Sequence, residues 1–154
     1  TIDQAGTPTS TGQISNVAST SVTAGLASKV SGLVYLEAGQ TYAFSGSGDD
    51  SIRVVVGGTV GAQATWSTTR GALSGSFTPA SSGYYSLDIY HHNQAGPGNY
   101  DVNVAINGGT VRDLSSSNLP LFTGVSDLLN QGVRLSDLQG TAGKGFYSSN
   151  YFSL

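Results

Sequence analysis

Cysteine is absent from the 154-residue sequence. With it go a disulfide framework, a thiolate zinc site and a thiol nucleophile. Charge is scarce as well. Only 10% of residues are Asp, Glu, Lys or Arg, and the formal net charge is −3. Nothing gathers into the basic footprint that nucleic acid or anionic lipid requires. No apolar run approaches the roughly 18 residues of a membrane-spanning helix, and no stretch reads as a signal peptide. Glutamate occurs once, at Glu37, and histidine twice, at His91 and His92. Catalytic signatures are missing too: there is no GxSxG, no HExxH and no phosphate-binding loop. A carboxylate-pair hydrolase needs two acids about 5–9 Å apart across a cleft. The most conspicuous acids, Asp49 and Asp50, are chain neighbours and suit that geometry poorly. Neighbouring residues of a strand point to opposite faces, so His91 and His92 do not share a reaction centre or a metal; both are expected on the surface or at a rim. The expectation is a protein that is not an enzyme.

What remains is rich in glycine (22 residues), in serine and threonine, and in tyrosine (8 residues). This composition and length predict one all-β domain of an extracellular kind, an antiparallel β-sandwich. Residues 1–20 are rich in Thr, Ser and Gly and show no sustained period. They read as a linker or docked arm, with a single domain over 21–154 that includes an irregular C-terminal segment. The opening "TIDQAGTPTSTG" predicts a piece excised from a longer chain. Strands are predicted at 32–39 and 40–46, meeting at Ala38-Gly39, and at 51–58, where Val54, Val55 and Val56 form a short buried run. Residues 61–66 are a weaker candidate. Leu73 and Phe77 share a face of 71–79. Tyr85, Leu87 and Ile89 share a face of 83–92, and Tyr100, Val102, Val104 and Ile106 a face of 99–108. "SDLLNQG", 126–132, predicts a short helical turn stopped by Gly132.

The segment "GSGDDSIRVVVGG", 46–58, places two like charges side by side in a glycine-serine loop at the start of a strand. Two readings stand. One is a solvated turn. The other is a hard-cation site: Ca²⁺ takes six to eight oxygens from carboxylates, carbonyls and water. For adjacent side chains to aim at one ion, the backbone between them must leave ordinary strand geometry, as a cis Asp49-Asp50 peptide would allow.

The stretch "VYLEAGQTYAFSGSGDDSIRVVVGGTV", 34–60, resembles the protective-antigen-type β-sandwich domain found in yeast flocculins, anthrax toxin and bacterial RTX adhesins. The features that carry the resemblance are the aromatic pair Tyr42 and Phe44, the Asp-Asp, the Val-rich strand and Gly57-Gly58 at its turn. Residues 71–109 look like the family's glycine, aromatic, strand, loop, strand ending. "DLSSSNLPLF", 113–122, is similar to the RTX-adhesin version. In the family's lectins the Asp-Asp motif has a cis peptide and binds Ca²⁺, and a second loop adds an amide side chain and carbonyls. The resemblance therefore implies Asp49 and Asp50 as metal ligands, joined from "HHNQAGPGNYD", 91–101, by Gln94 and by carbonyls around Gly96 and Gly98. Asn93 and Asn99 are alternatives for Gln94, and a plain Gly-Pro hairpin remains the alternative for the loop itself. Sugar contacts are expected from Asp49, Asp50, Gln94, Asn99 and Tyr90. Trp66 is a further candidate, although a lone Trp in a small sandwich more often belongs to the core. The implied function is a Ca²⁺-dependent lectin module of a secreted, cell-surface bacterial adhesin. Its implied partners are glycans with fucose-, glucose- or mannose-like sugars, bound by a monomeric domain within a longer chain. The alternatives are a calcium-rigidified spacer and a peptide-binding module.

Overall fold

A computed structural model describes residues 1–133. The expected irregular segment from 134 to Leu154 lies outside the described residues. Among the described residues ten strands follow a 3-10 turn at Ile2–Gln4: β1 Ala18–Val22, β2 Ala27–Leu36, β3 Tyr42–Asp49, β4 Ser51–Val56, β5 Thr59–Thr65, β6 Gly71–Phe77, β7 Gly83–His92, β8 Gly98–Ile106, β9 Arg112–Asp113 and β10 Leu121–Phe122. All pairings are antiparallel. The order β1-β8-β3-β6-β5-β4-β7-β2-β10 is continuous, with β9 beside β8. The two layers are thus one curled sheet. At its bend β5 meets β6 through only Ala62↔Gly75 and Gln63↔Ser74. A Cβ on Gly75 would lie 1.9 Å from the Gly61 carbonyl oxygen, so the closeness of the bend depends on glycine there.

The predicted faces hold, except that Val55, expected in a buried run with Val54 and Val56, alternates to the outer face of β4 and is only partly buried. Ile52, Val54 and Val56 of β4, Tyr85, Leu87 and Ile89 of β7, and Tyr100, Val102 and Val104 of β8 are buried in one core with Leu36, Tyr42, Phe44 and Leu73; Phe77 and Ile106 pack against it from partly exposed positions. Each such side chain contributes about 1.5–3 kcal/mol on leaving water. β4 turns into β5 through Gly57 and Gly58, both with positive φ, the two-residue hairpin turn whose twist matches that of the strands. Ala18–Val22 is a strand that starts within residues 1–20, where the sequence shows no sustained period, and Val17 just before it is buried. Asp3 of the first turn pairs with Lys29 at 2.8 Å and accepts the Tyr90 hydroxyl at 2.9 Å.

The glycine-serine segment before the aspartates is a correction. The residue types suggest a loop, but β3 runs through it to Asp49, paired with β6 as far as Gly48 and with β8 to its end. Gly46 and Gly48 serve close approach here, not flexibility. A Cβ on Gly46 would fall 2.1 Å from the Asp101 carbonyl oxygen, and one on Gly48 2.6 Å from Ile52 Cγ2.

The short helix α1, Val125–Asn130, falls where the sequence predicts it. Beyond it the Gly132 N–H bonds the Leu129 carbonyl and the Val133 N–H that of Leu128, both at 3.1 Å. With Gly132 at φ 92°, this is the glycine stop known as a Schellman motif.

Candidate functional site

The carboxyl end of β3, the start of β4, the β5–β6 loop and the β7–β8 loop meet at one end of the curled sheet. The Asp49-Asp50 peptide is cis, the geometry considered above for two carboxylates that serve one ion. Both residues are half-buried. Asp49 alternates to the outer face of β3, and its register partner on β8 is Asn99.

Asp50 is anchored on three sides. Its N–H donates to the His92 carbonyl at 3.0 Å, and its own carbonyl accepts the Trp66 N–H at 2.6 Å. Its carboxylate accepts the Gln94 backbone N–H at 2.6 Å. The β5–β6 loop and the end of β7 with its following loop are thereby tied to one aspartate. Behind Asp49, His91 Nε2 lies 2.7 Å from the Asp49 carbonyl oxygen. A carbonyl only accepts, so Nε2 carries the proton. Burial pushes the imidazole below the ordinary histidine range, and the neutral ring rests against Tyr100 at 4.7 Å between centroids. The two histidines do point to opposite faces, but His91 is in the interior at 2% exposure, contrary to the expected surface position; His92 is exposed.

Asn93 is fully buried and acts as a clamp. Its N–H donates to the Leu26 carbonyl at 3.0 Å, and its carbonyl accepts the Gly25 N–H at 2.8 Å. Its Nδ2 donates to the carbonyls of Val22 at 2.7 Å and Gly96 at 3.0 Å. The β1–β2 turn and the 93–98 loop are thereby joined through one residue. A Cβ on Gly98 would sit 2.5 Å from Asn93 Cγ, so Gly98 leaves the space that this side chain fills. Gly96 has φ +70°, a conformation glycine adopts without penalty.

Of the expected ligand residues, Gln94 and Asn99 are brought beside the aspartates, whereas Gly96 and Gly98 lie against Asn93. Gln94 is exposed, with its backbone tied to Asp50; Asn99 stands opposite Asp49; Gly96 and Gly98 flank the loop's proline. Tyr90 is placed elsewhere. It lies one outward-facing position down β7 from His92, and Asp3 and Lys29 hold it there. Trp66 is not in the core: it is 45% exposed directly after β5, beside Asp50. Arg70, at the far end of its loop, reaches Asp101 at 3.1 Å. Sequence reasoning missed the Asn93 clamp and the link from Trp66 to Asp50. Both depend on backbone groups that no residue type announces.

Two features bear on whether a cation suits this place. The side-chain oxygens of Asn93 and Asn99 are buried and take no hydrogen bond from the described residues. A buried carbonyl oxygen without a partner is uncommon and suits a hard cation. Also, no three His, Cys, Asp or Glu side chains cluster among the described residues. An ion here would take two carboxylates and otherwise neutral oxygens, a donor set that fits Ca²⁺ and not a softer metal.

No family model matches the sequence, and no curated protein is similar to it. Solved structures are. The PA14 sugar-binding domain from an RTX adhesin is 27% identical with a TM-score of 0.52, over 58% of this chain and 50% of that one. The PA14 domain of the MpAFP antifreeze protein is 30% identical with a TM-score of 0.53, over 62% of this chain and 50% of that one. An anti-sigma factor domain-containing protein from Clostridium clariflavum shares the fold alone, at 16% identity and a TM-score of 0.51, over 65% of this chain and 35% of that one. The fold is of the PA14, or protective-antigen, kind. The chain spans about half the length of the two PA14 structures it matches.

Proposed function

We infer that this chain is a calcium-dependent carbohydrate-binding module of a bacterial adhesin displayed outside the cell. The observation that carries the reading is the half-buried Asp49-Asp50 pair, with the Gln94 N–H on the Asp50 carboxylate and Asn99, whose buried side-chain oxygen has no partner among the described residues, opposite Asp49. The PA14 sugar-binding domain of an RTX adhesin supports it as a structural neighbour. No helix among the described residues is long and apolar enough to cross a membrane.

Asp49 and Asp50 balance the charge of a divalent cation. The Gln94 side-chain oxygen, with Asn93 and Asn99 as its alternatives, and the Gly96 and Gly98 carbonyls would complete the protein's share of the shell. A calcium ion held there would supply open coordination positions for a sugar's vicinal diol. Asn93 and the two loops tied to Asp50 keep these oxygens in place, so little ordering remains for binding. The exposed Trp66 ring offers its face to the apolar side of a pyranose. Affinity for one sugar is expected near millimolar, about −4 kcal/mol, and adhesion then rests on many copies acting together.

A glycan array probed in calcium and in EDTA tests this. Glucose-, mannose- or fucose-like glycans with a free vicinal diol should bind in calcium alone. Analogues lacking one of the two hydroxyls should lose about 1–3 kcal/mol. Binding that survives EDTA, or no binding in calcium, would reject the lectin reading.

The part of Gln94 is tested separately. Gln94→Ala keeps the backbone N–H on Asp50 and removes only the amide oxygen. Calcium affinity by titration calorimetry should fall about tenfold, near 1.4 kcal/mol, and Gln94→Glu should restore it. An unchanged affinity in Gln94→Ala would move the ligand role to Asn99.

A further inference from the structure

The outer face of β5, β4 and β7 carries a groove of about 520 Å³ lined by Ser51 and Arg53 of β4, Gln63 and Thr65 of β5, and Tyr90 and His92 of β7. The register sets its lining in two rungs. Thr65, Ser51 and His92 lie side by side in the first, and Gln63, Arg53 and Tyr90 in the second. The first rung is joined to the candidate cation site through the chain itself. Ser51 follows Asp50, His92 gives its carbonyl to the Asp50 N–H, and Thr65 precedes Trp66, whose N–H bonds Asp50. Alternate residues along a strand are about 6.6–7 Å apart, a step comparable with one residue of a glycan.

Charge distinguishes the second rung. Arg53 is exposed and forms no ion pair with a described residue, whereas Lys29 and Arg70 do. The acid that lines the same groove, Asp3, is already engaged by Lys29 and Tyr90. The same two hydrogen bonds hold its carboxyl below the ordinary range. The groove therefore presents a free guanidinium flanked by an amide and an aromatic ring that is held in place. A guanidinium matches a carboxylate or sulfate with two parallel hydrogen bonds, and a neutral sugar hydroxyl makes no comparable use of its charge.

The geometry points to a second sugar subsite in this groove, where Arg53 receives an acidic residue linked to the sugar held at Asp49 and Asp50. The preferred ligand is then an acidic oligosaccharide, such as a uronate-containing polysaccharide, and not an isolated neutral sugar. The assignment rests on the calcium-lectin reading for the first residue, but Arg53 acts without a metal.

The test compares glucose, a neutral glucose disaccharide and a disaccharide of glucose and glucuronic acid by titration calorimetry, in calcium and in EDTA. In calcium the acidic disaccharide should bind about five- to tenfold more tightly than the other two, the gain expected of a partly exposed charged pair. Arg53→Ala should erase that gain while leaving glucose and calcium affinity unchanged, and high salt should shrink it. Equal affinity for all three sugars, or a preference that Arg53→Ala keeps, overturns the subsite. If the acidic disaccharide binds in EDTA and Arg53→Ala abolishes this, the groove stands and the calcium-lectin reading falls. If no sugar binds under either condition, both fall.

Discussion

Replacing Asp50 with asparagine is expected to abolish the thermal stabilisation that calcium confers on the native protein. A ligand at about 100 times its Kd stabilises the folded state by roughly 2.7 kcal/mol. For about 150 residues this corresponds to a rise in Tm of some 5–10 °C. Asparagine is the informative substitution. The Asp50 carboxylate also accepts the Gln94 N–H at 2.6 Å, and an amide oxygen can still accept that bond. Asp50→Asn should therefore melt near the native temperature in EDTA and show no calcium response. Asp50→Ala should also lower the melting temperature in EDTA, because the Gln94 N–H then loses its acceptor. Asp49→Asn should remove the calcium response in the same way. Differential scanning calorimetry with and without calcium separates these effects. A calcium response retained in both Asp49→Asn and Asp50→Asn would place the ion elsewhere, or nowhere.

The largest loss of stability at this end of the molecule is expected from Asn93→Ala, at about 2–3 kcal/mol without calcium. Its Nδ2 serves two carbonyls, Val22 and Gly96, in a place with no exposure. Each hydrogen bond contributes about 1 kcal/mol net, and a buried carbonyl deprived of its donor costs more. The variant also leaves a void beside Gly98. Calcium affinity should weaken with it, since the 93–98 loop would no longer be held in its binding form. Urea denaturation gives the first quantity and calorimetric titration the second. A loss below about 0.5 kcal/mol would mean that the backbone bonds to Leu26 and Gly25 suffice to hold the loop.

The all-β architecture was determined by the sequence alone, for a physical reason. Period-2 alternation specifies a strand and its buried face together, and it is strong in 83–92 and 99–108. The hairpin at Gly57-Gly58 and the helix stop at Gly132 are equally local, because positive φ excludes most side chains. The aspartate pair alone reads equally as a solvated turn; it stood out through the resemblance carried by Tyr42, Phe44, the Val-rich strand and Gly57-Gly58 around it. Tertiary structure decided the rest. Gly46 and Gly48 resemble loop residues, yet they extend β3, since only the approach of Asp101 and Ile52 reveals why a Cβ is excluded there. Trp66 and His91 exchanged their expected places, exposed and buried, because burial depends on which strand packs opposite. The groove around Arg53 is invisible along the chain: Gln63, Arg53 and Tyr90 become neighbours only through the pairing of three strands. A single chain encodes each strand's own period, but the register between strands distant in sequence emerges only when the sheet closes on its core.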